Sequence, residues 1–324
     1  MEQIATGCLP SKKDKRTVSH SSLSFAGEPL VKGGTEYMAS DIEHQHAVGI
    51  CTAISMIQNR EKANGKHYSP EFQYLLQKKF IDGNWTEGSS VLNALKVAKN
   101  YGFLPIELFT YVTEQDRYLP YSEYIKKLQG ISDAEVQRLI GLCVDKIGGY
   151  ASVVNDSQSI ARAINESESG VLCRFGCQSN WWTSVLGYSS WLEKDISPLR
   201  WKQETSGHAI GMTNFDYTTQ LKQTLANTWG KTYCRNGSID IIFNTYMPTE
   251  IWTILDTSPM FKFTKTMKFG MTDPQIKELQ KRLQVIQTGF FGLLTLSAVK
   301  KYQISKGLKG DGIVGPLTLA ELNK

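Results

Sequence analysis

At 324 residues the chain is longer than one hydrophobic core usually serves, so one large domain with a smaller one is expected. Hydrophobic content of 41% with 21% charged residues excludes a disordered chain. The net charge of +5 is uneven, with +7 on residues 262–324 and −2 on the rest. A basic tail suits an anionic polymer, and a solvated lysine-rich surface is the plain alternative. The cysteines (Cys8, Cys51, Cys143, Cys173, Cys177 and Cys234) are too sparse for a small disulfide scaffold. Cys173 and Cys177 have no second Cys/His pair nearby to complete a zinc site, and no metal or cofactor is expected. No apolar stretch of signal-peptide length opens the sequence, and none reaches ~18 residues, so a soluble chain without a membrane partner is expected.

In chain order, residues 1–40 are polar and read as an irregular leader and possible regulatory segment. From 41 to 256 the pattern is dense and mixed. Cys51 to Ala63 reads as a helix, with Ile50, Ile54 and Ile57 on one face. Ser69-Pro70-Glu71 is a helix start, and Ser90 can cap a helix over Val91 to Tyr101 that Gly102 ends. Two more short helices are expected within 130–170. His208–Phe215, Leu221–Asn227 and Ser238–Phe243 are short β-rich runs. Helices first and strands later point to an α+β chain. Residues 257–271 read as a linker. From Thr272 the pattern is helical again, with Ile276, Leu279 and Leu283 on one face and Ala298, Val299 and Tyr302 on another. Gly289 to Thr295 is echoed 23 residues later by Gly312 to Thr318, each copy a glycine turn and a threonine able to cap a helix.

One constellation carries chemistry. Cys51 begins a helix, where unpaired amides and the macrodipole favour a thiolate. Gln45 stands six residues before it and can donate to a developing oxyanion, while Gly49 permits a tight loop. Gly207-His208-Ala209 opens a β run, so His208 can face the helix-borne cysteine. Asn227 closes the next run and can accept the other imidazole N–H. Trp229, two residues on, can shield that bond from water.

Gln45 with Cys51, Gly207-His208-Ala209, and Asn227-Thr228-Trp229-Gly230 resemble, in order, the three signature blocks of the papain family of cysteine peptidases. Asn236-Gly237 is similar to the family's Asn-Gly-Tyr run, with Ser238 replacing Tyr. Ser69-Pro70-Glu71-Phe72 resembles its second-helix block. Glu87-Gly88-Ser89-Ser90 stands where the family has a glycine-rich substrate-binding strand. Gly7-Cys8-Leu9-Pro10 with Asp14-Lys15-Arg16 is similar to the opening of bacterial members. There are departures. Thr52 stands where Trp is usual, Val48 replaces a disulfide cysteine, and the 157 positions from Cys51 to His208 place extra length at 115–150. The family's long helical pro-segment is absent. The resemblance implies a papain-like fold, a helical subdomain against a β subdomain. It also implies catalytic Cys51, His208 and Asn227, an oxyanion donor at Gln45, and Gly88 and Trp229 at a protein or peptide substrate.

A second resemblance is to the peptidoglycan-binding domain of bacterial and phage wall enzymes. It rests on Ile276 to Leu283, Ala298 to Gln303 and Gly307 to Thr318, with Thr288 in place of the Asp of the first Asp-Gly. It implies a small three-helix domain over 272–324 and a cell-wall partner rather than nucleic acid. The expected function is peptide-bond hydrolysis through a thiol acyl-enzyme targeted to the wall, by a wall-associated, virion-borne or lysis-released protein. The rivals are a stem-peptide endopeptidase or amidase, an acyl transferase, and a wall-binding scaffold.

Overall fold

The computed structural model describes residues 7–12, 19–20, 29–34, 42–177, 206–233, 236–242, 247–255, 263–283 and 285–322. The chain divides into two units, residues 1–256 and 257–324. Helices of the first unit are α1 (Cys51–Asn64), α2 (Pro70–Leu76, prolonged by a π-helical turn at Gln77–Asp82), α3 (Val91–Asn100), α4 (Tyr121–Gln129), α5 (Asp133–Ile140) and α6 (Ser157–Glu166). Strands β1 (Lys32–Gly34), β2 (Gly149–Ser152), β3 (Val171–Cys177), β4 (Ser206–Asp216), β5 (Lys222–Ala226), β6 (Ser238–Ile242) and β7 (Glu250–Leu255) form one antiparallel sheet. Its order is β2-β7-β3-β4-β5-β6, with β1 also against β4.

The helix starts follow the predicted chemistry. The Ser69 hydroxyl accepts from Phe72 N–H at 3.1 Å, with Pro70 in the first turn, and Ser90 accepts from Asn93 N–H at 3.2 Å. Such caps contribute about 1 kcal/mol each. Gly102 adopts φ 85° and abuts the Val144 carbonyl, so a side chain there meets both strain and a clash.

Two cores flank a seam. The helical lobe packs Ile50, Ile54, Phe72, Leu75, Leu104 and Tyr124, while the sheet lobe packs Ile160, Phe175, Ile210, Leu225, Trp229 and Ile239. Between them a third cluster joins Cys51, Met56, Ile57, Leu92 and Leu95 to Leu172 and Ala209. Helix α1 lies in this seam and is buried on nearly all sides, so its polar side chains need partners. Ser55 donates to Ala209 O at 2.7 Å, Asn59 to Val171 O at 3.1 Å and Gln58 to Asn227 O at 3.2 Å. At about 1 kcal/mol net apiece, these bonds fix the helix's rotation against β3, β4 and the end of β5. The cysteine at its first turn is fixed with it.

The leader departs from an irregular segment where it is described, since Lys32–Gly34 pairs with β4 and Cys8 bridges Ser89. Residues 1–6, 13–18, 21–28 and 35–40 of the leader, Phe243 and residues 257–262 lie outside the described residues.

The second unit holds α7 (Pro274–Arg282), α8 (Leu293–Ser305) and α9 (Pro316–Leu322) around Phe263, Met267, Ile276, Leu279, Phe291, Val299, Val314 and Leu322. Residues 263–271, expected as linker, belong to this unit. Phe263 and Met267 are buried, Met267 and Val314 exchange backbone hydrogen bonds, and Phe291 N–H donates to Met271 O. The 23-residue echo is a structural repeat. Gln280 accepts from Gly289 N–H and donates to Phe290 O and the Thr295 hydroxyl. Gln303 does the same with Gly312, Ile313 and Thr318. The threonines therefore do not cap their helices as expected; each lies inside the first turn and receives a glutamine from the preceding helix.

Candidate active site

Cys51 is the first residue of α1, and Ile50 before it offers no capping side chain. The orphan amides of the turn are thus left for the sulfur. Backbone amides of Ala209, Gly7, Thr52 and Cys51 itself pull the Cys51 thiol toward its thiolate. Ala209 adjoins His208 on β4, so the strand carrying the histidine packs against Cys51.

The register of β4 on β5 pairs Gly211 with Ala226, which sets His208 near the residue that follows β5, Asn227. His208 Nε2 lies 2.7 Å from Asn227 Oδ1. The same oxygen accepts from Thr228 N–H at 2.8 Å. A backbone N–H only donates, so that amide atom is the oxygen and His208 Nε2 carries the proton. Nδ1 is then the basic nitrogen of the neutral ring. Trp229 stacks on the imidazole with centroids 4.8 Å apart, and Tyr233 meets Trp229 edge-on. Trp229, expected at a substrate, is 1% exposed and covers one face of the His208 ring.

Gln45 is held from below by the same segment. Its N–H donates to Thr228 O at 2.8 Å, its Oε1 accepts from the Thr228 hydroxyl at 2.5 Å, and Nε2 lies 3.4 Å from Val48 O. Thr228 thereby links the Gln45 side chain to the histidine, a link the motif alone did not reveal. Where Val48 replaces the family's cysteine, another tie joins the loops, for Gly49 N–H donates to Glu87 Oε1 at 2.8 Å.

The leader runs through this site. Ser89 N–H donates to Gly7 O at 2.8 Å, Leu9 N–H to Ser89 O at 2.6 Å, and Cys8 N–H to Gly207 O at 2.9 Å. Cys8 pairs with Ser89 in parallel and shares the seam with Cys51, Leu172 and Ala209. Arg174 Nε donates to Cys8 O at 3.2 Å, and Ser11 N–H to Glu250 Oε1 at 2.7 Å. Gly7 fits only as glycine, since a Cβ would stand 2.1 Å from Gly49 O. The leader pairs with the backbone of Ser89, the neighbour of Gly88, which was expected at a substrate. Gly88 instead spends its N–H on the Tyr74 hydroxyl and its carbonyl on Lys78, and leaves room for Gly7.

Covered in this way, Cys51 and His208 are both 0% exposed. Burial pushes the Cys51 thiol up, against the pull of its backbone donors. Burial lowers His208 to about 4, with the Asn227 bond opposing. Burial thus disfavours the charged form of both groups. Among the described residues no three His, Cys, Asp or Glu side chains gather as a metal site, and no helix is long and apolar enough to cross a membrane.

Residues 272–322 match the family model described as "Putative peptidoglycan binding domain". Over 35 residues the chain is 63% identical to an "Uncharacterized protein in bpoA1 3'region" of Kitasatospora aureofaciens, covering 11% of this chain and only 30% of that protein. Xylellain, a cysteine protease from Xylella fastidiosa, is structurally similar at a TM-score of 0.55 and 18% identity, over 79% of this chain and 97% of its own. A digestive procathepsin L2 proteinase from the Tenebrio molitor larval midgut gives 0.54 at 14% identity, over 78% of each chain. The chain thus has the papain-like fold of cysteine proteases, followed by a domain of the peptidoglycan-binding type.

Proposed function

We propose that the protein is a thiol peptidase, with Cys51 as nucleophile, His208 as proton carrier and Asn227 as its orienting partner. The observation that carries this reading is the hydrogen-bond chain from Thr228 N–H through Asn227 to His208, which leaves Nδ1 as base on the strand that packs against Cys51. His208 Nδ1 takes the thiol proton and the thiolate attacks the peptide carbonyl. The oxyanion is received by Gln45 Nε2 and the Cys51 N–H. The amine departs with the proton from His208, leaving a thioester. His208 then draws a proton from water, which hydrolyses the thioester and restores the thiol.

The leader holds the site closed in this reading. Its parallel pairing on Ser89 and its seat over Cys51 occupy the path of a substrate backbone, so turnover requires it to leave.

The C-terminal domain brings the enzyme to cell-wall polymer. That domain also favours stem peptides of the wall as substrate over soluble protein. Incubation with casein and with purified sacculi, followed by assay for new amino groups, distinguishes the two. Release from neither, by protein whose leader has been displaced, would refute the peptidase reading.

A further inference from the structure

The oxyanion side chain sits on a loop that the active-site residues do not hold alone. Gln45 lies between His44 and His46, and His46 has φ 51°, a left-handed conformation that a histidine adopts at a cost. Thr228 anchors Gln45 from below. From the other side comes the 3₁₀ turn Glu114–Tyr118, at the start of the stretch 115–150 where extra length is expected. Arg117 of that turn is 1% exposed. Its Nη1 donates to His44 O at 2.9 Å, and its own carbonyl accepts from Ala47 N–H at 3.0 Å. The guanidinium is fixed in turn by Glu71, 2.7 Å from Nε, and by Glu43, 2.8 Å from Nη2. Tyr118 lies tilted over His46 with centroids 3.8 Å apart, and His46 stacks on His44 at the same distance.

Resting on the thiol-peptidase reading, we infer that Arg117 is a positioning residue for the oxyanion hole. It grips the backbone one residue before Gln45 and two residues after it, and so sets where Nε2 points. The chemistry suits arginine. A planar fork with donors on two edges meets a carbonyl and two carboxylates at once, whereas a lysine ammonium offers one point. The insertion is on this account a brace for catalysis.

A brace for the oxyanion hole and a brace for the fold predict different kinetics. Peptide-amide hydrolysis builds an oxyanion. Attack of the Cys51 thiolate on 2,2'-dipyridyl disulfide, followed on that residue by mass spectrometry, displaces a pyridinethione at sulfur and builds none. Both reactions need the leader to leave, so their ratio in the full-length protein cancels the opening equilibrium. Arg117→Lys is expected to lower kcat for amide hydrolysis about 10-fold, with KM and the disulfide reaction within about 2-fold of wild type. Added to Gln45→Ala, it should cost little more than Gln45→Ala alone, because it acts through that residue. Should Arg117→Lys melt below assay temperature, Tyr118→Leu removes only the half-exposed ring on His46, and a split of about 3-fold in the same sense is expected. Equal losses in both reactions, additive costs with Gln45→Ala, or no change in any variant would overturn the assignment. A wild-type protein that reacts with the disulfide but hydrolyses no peptide amide defeats the peptidase reading itself, and the assignment with it.

Discussion

The two units differ in what they bury and what they leave open. The first hides Cys51 and His208 completely beneath its own leader, while the second leaves Ile286, Leu293 and Leu317 more than 70% exposed. The contrast follows from what each must do. Burial under the leader disfavours the charged forms of both the thiol and the imidazole. A domain that holds a polymer must leave a face open to it. The first unit spends its unusual residues on positioning. The second spends them on repeating one turn, with Gln280 and Gln303 in equivalent roles.

The sharpest break in this contrast is loss of the nucleophile. Cys51→Ala should lower peptide turnover by at least ~10⁴-fold while leaving the thermal transition cooperative. Turnover at the wild-type level would remove Cys51 from the mechanism. Next in size is the division of labour across β4 and β5. His208→Ala should approach the loss of Cys51→Ala, whereas Asn227→Ala, which only orients the ring, should be milder by about 10-fold or more in kcat/KM. Equal losses from two folded variants would contradict the roles drawn from the tautomer.

The seal itself can be broken by one side chain. Gly7→Val places a Cβ against Gly49 O and should unseat the leader, raising activity on a small peptide amide by about 10-fold, the loss of roughly 1.4 kcal/mol of closure. An unchanged rate would show that the leader does not limit access. A smaller effect comes from burial of the histidine. His208 sits at about 4 in the folded chain against an ordinary 6.5, so between these pH values the unfolded chain binds the extra proton. Stability is full above pH 6.5 and is lost as pH falls toward 4, by up to about 3 kcal/mol. Urea unfolding at pH 7 and pH 4.5 should show a drop that His208→Gln largely lacks. The smallest catalytic effect belongs to the second unit. Deleting residues 257–324 should leave amide hydrolysis within about 2-fold while abolishing a sacculus pull-down, part of whose strength in the intact protein fades with salt through the +7 balance.

What was legible in the sequence tracks how local its cause is. Caps at Ser69 and Ser90 are set by neighbours three residues away, and they stand where the pattern placed them. The α+β class followed from the same local periodicities. Strands β3 and β7 were missed, because a strand buried on both faces shows no alternation to read. The leader pairs with Ser89, one residue beyond Gly88, and one residue along an extended chain exchanges the groups that face a neighbour. Arg117 had no sequence signal at all, since its partners Glu43 and Glu71 lie 74 and 46 residues away. The linker over 263–271 failed for a related reason. Its Phe and Met residues look like scatter until the loops ending at Phe291 and Val314 are there to pair with them.

The proposed mechanism passes through a covalent intermediate on Cys51, which can be trapped directly. The full-length protein and its Gly7→Val variant would be mixed with a peptide ester, quenched in acid within the first turnover, and digested for mass spectrometry. The account predicts the acyl mass as a thioester on the peptide bearing Cys51, in larger yield from Gly7→Val and absent from Cys51→Ala. Ester turnover with no acyl group on Cys51, or an acyl group carried by another residue, would contradict it.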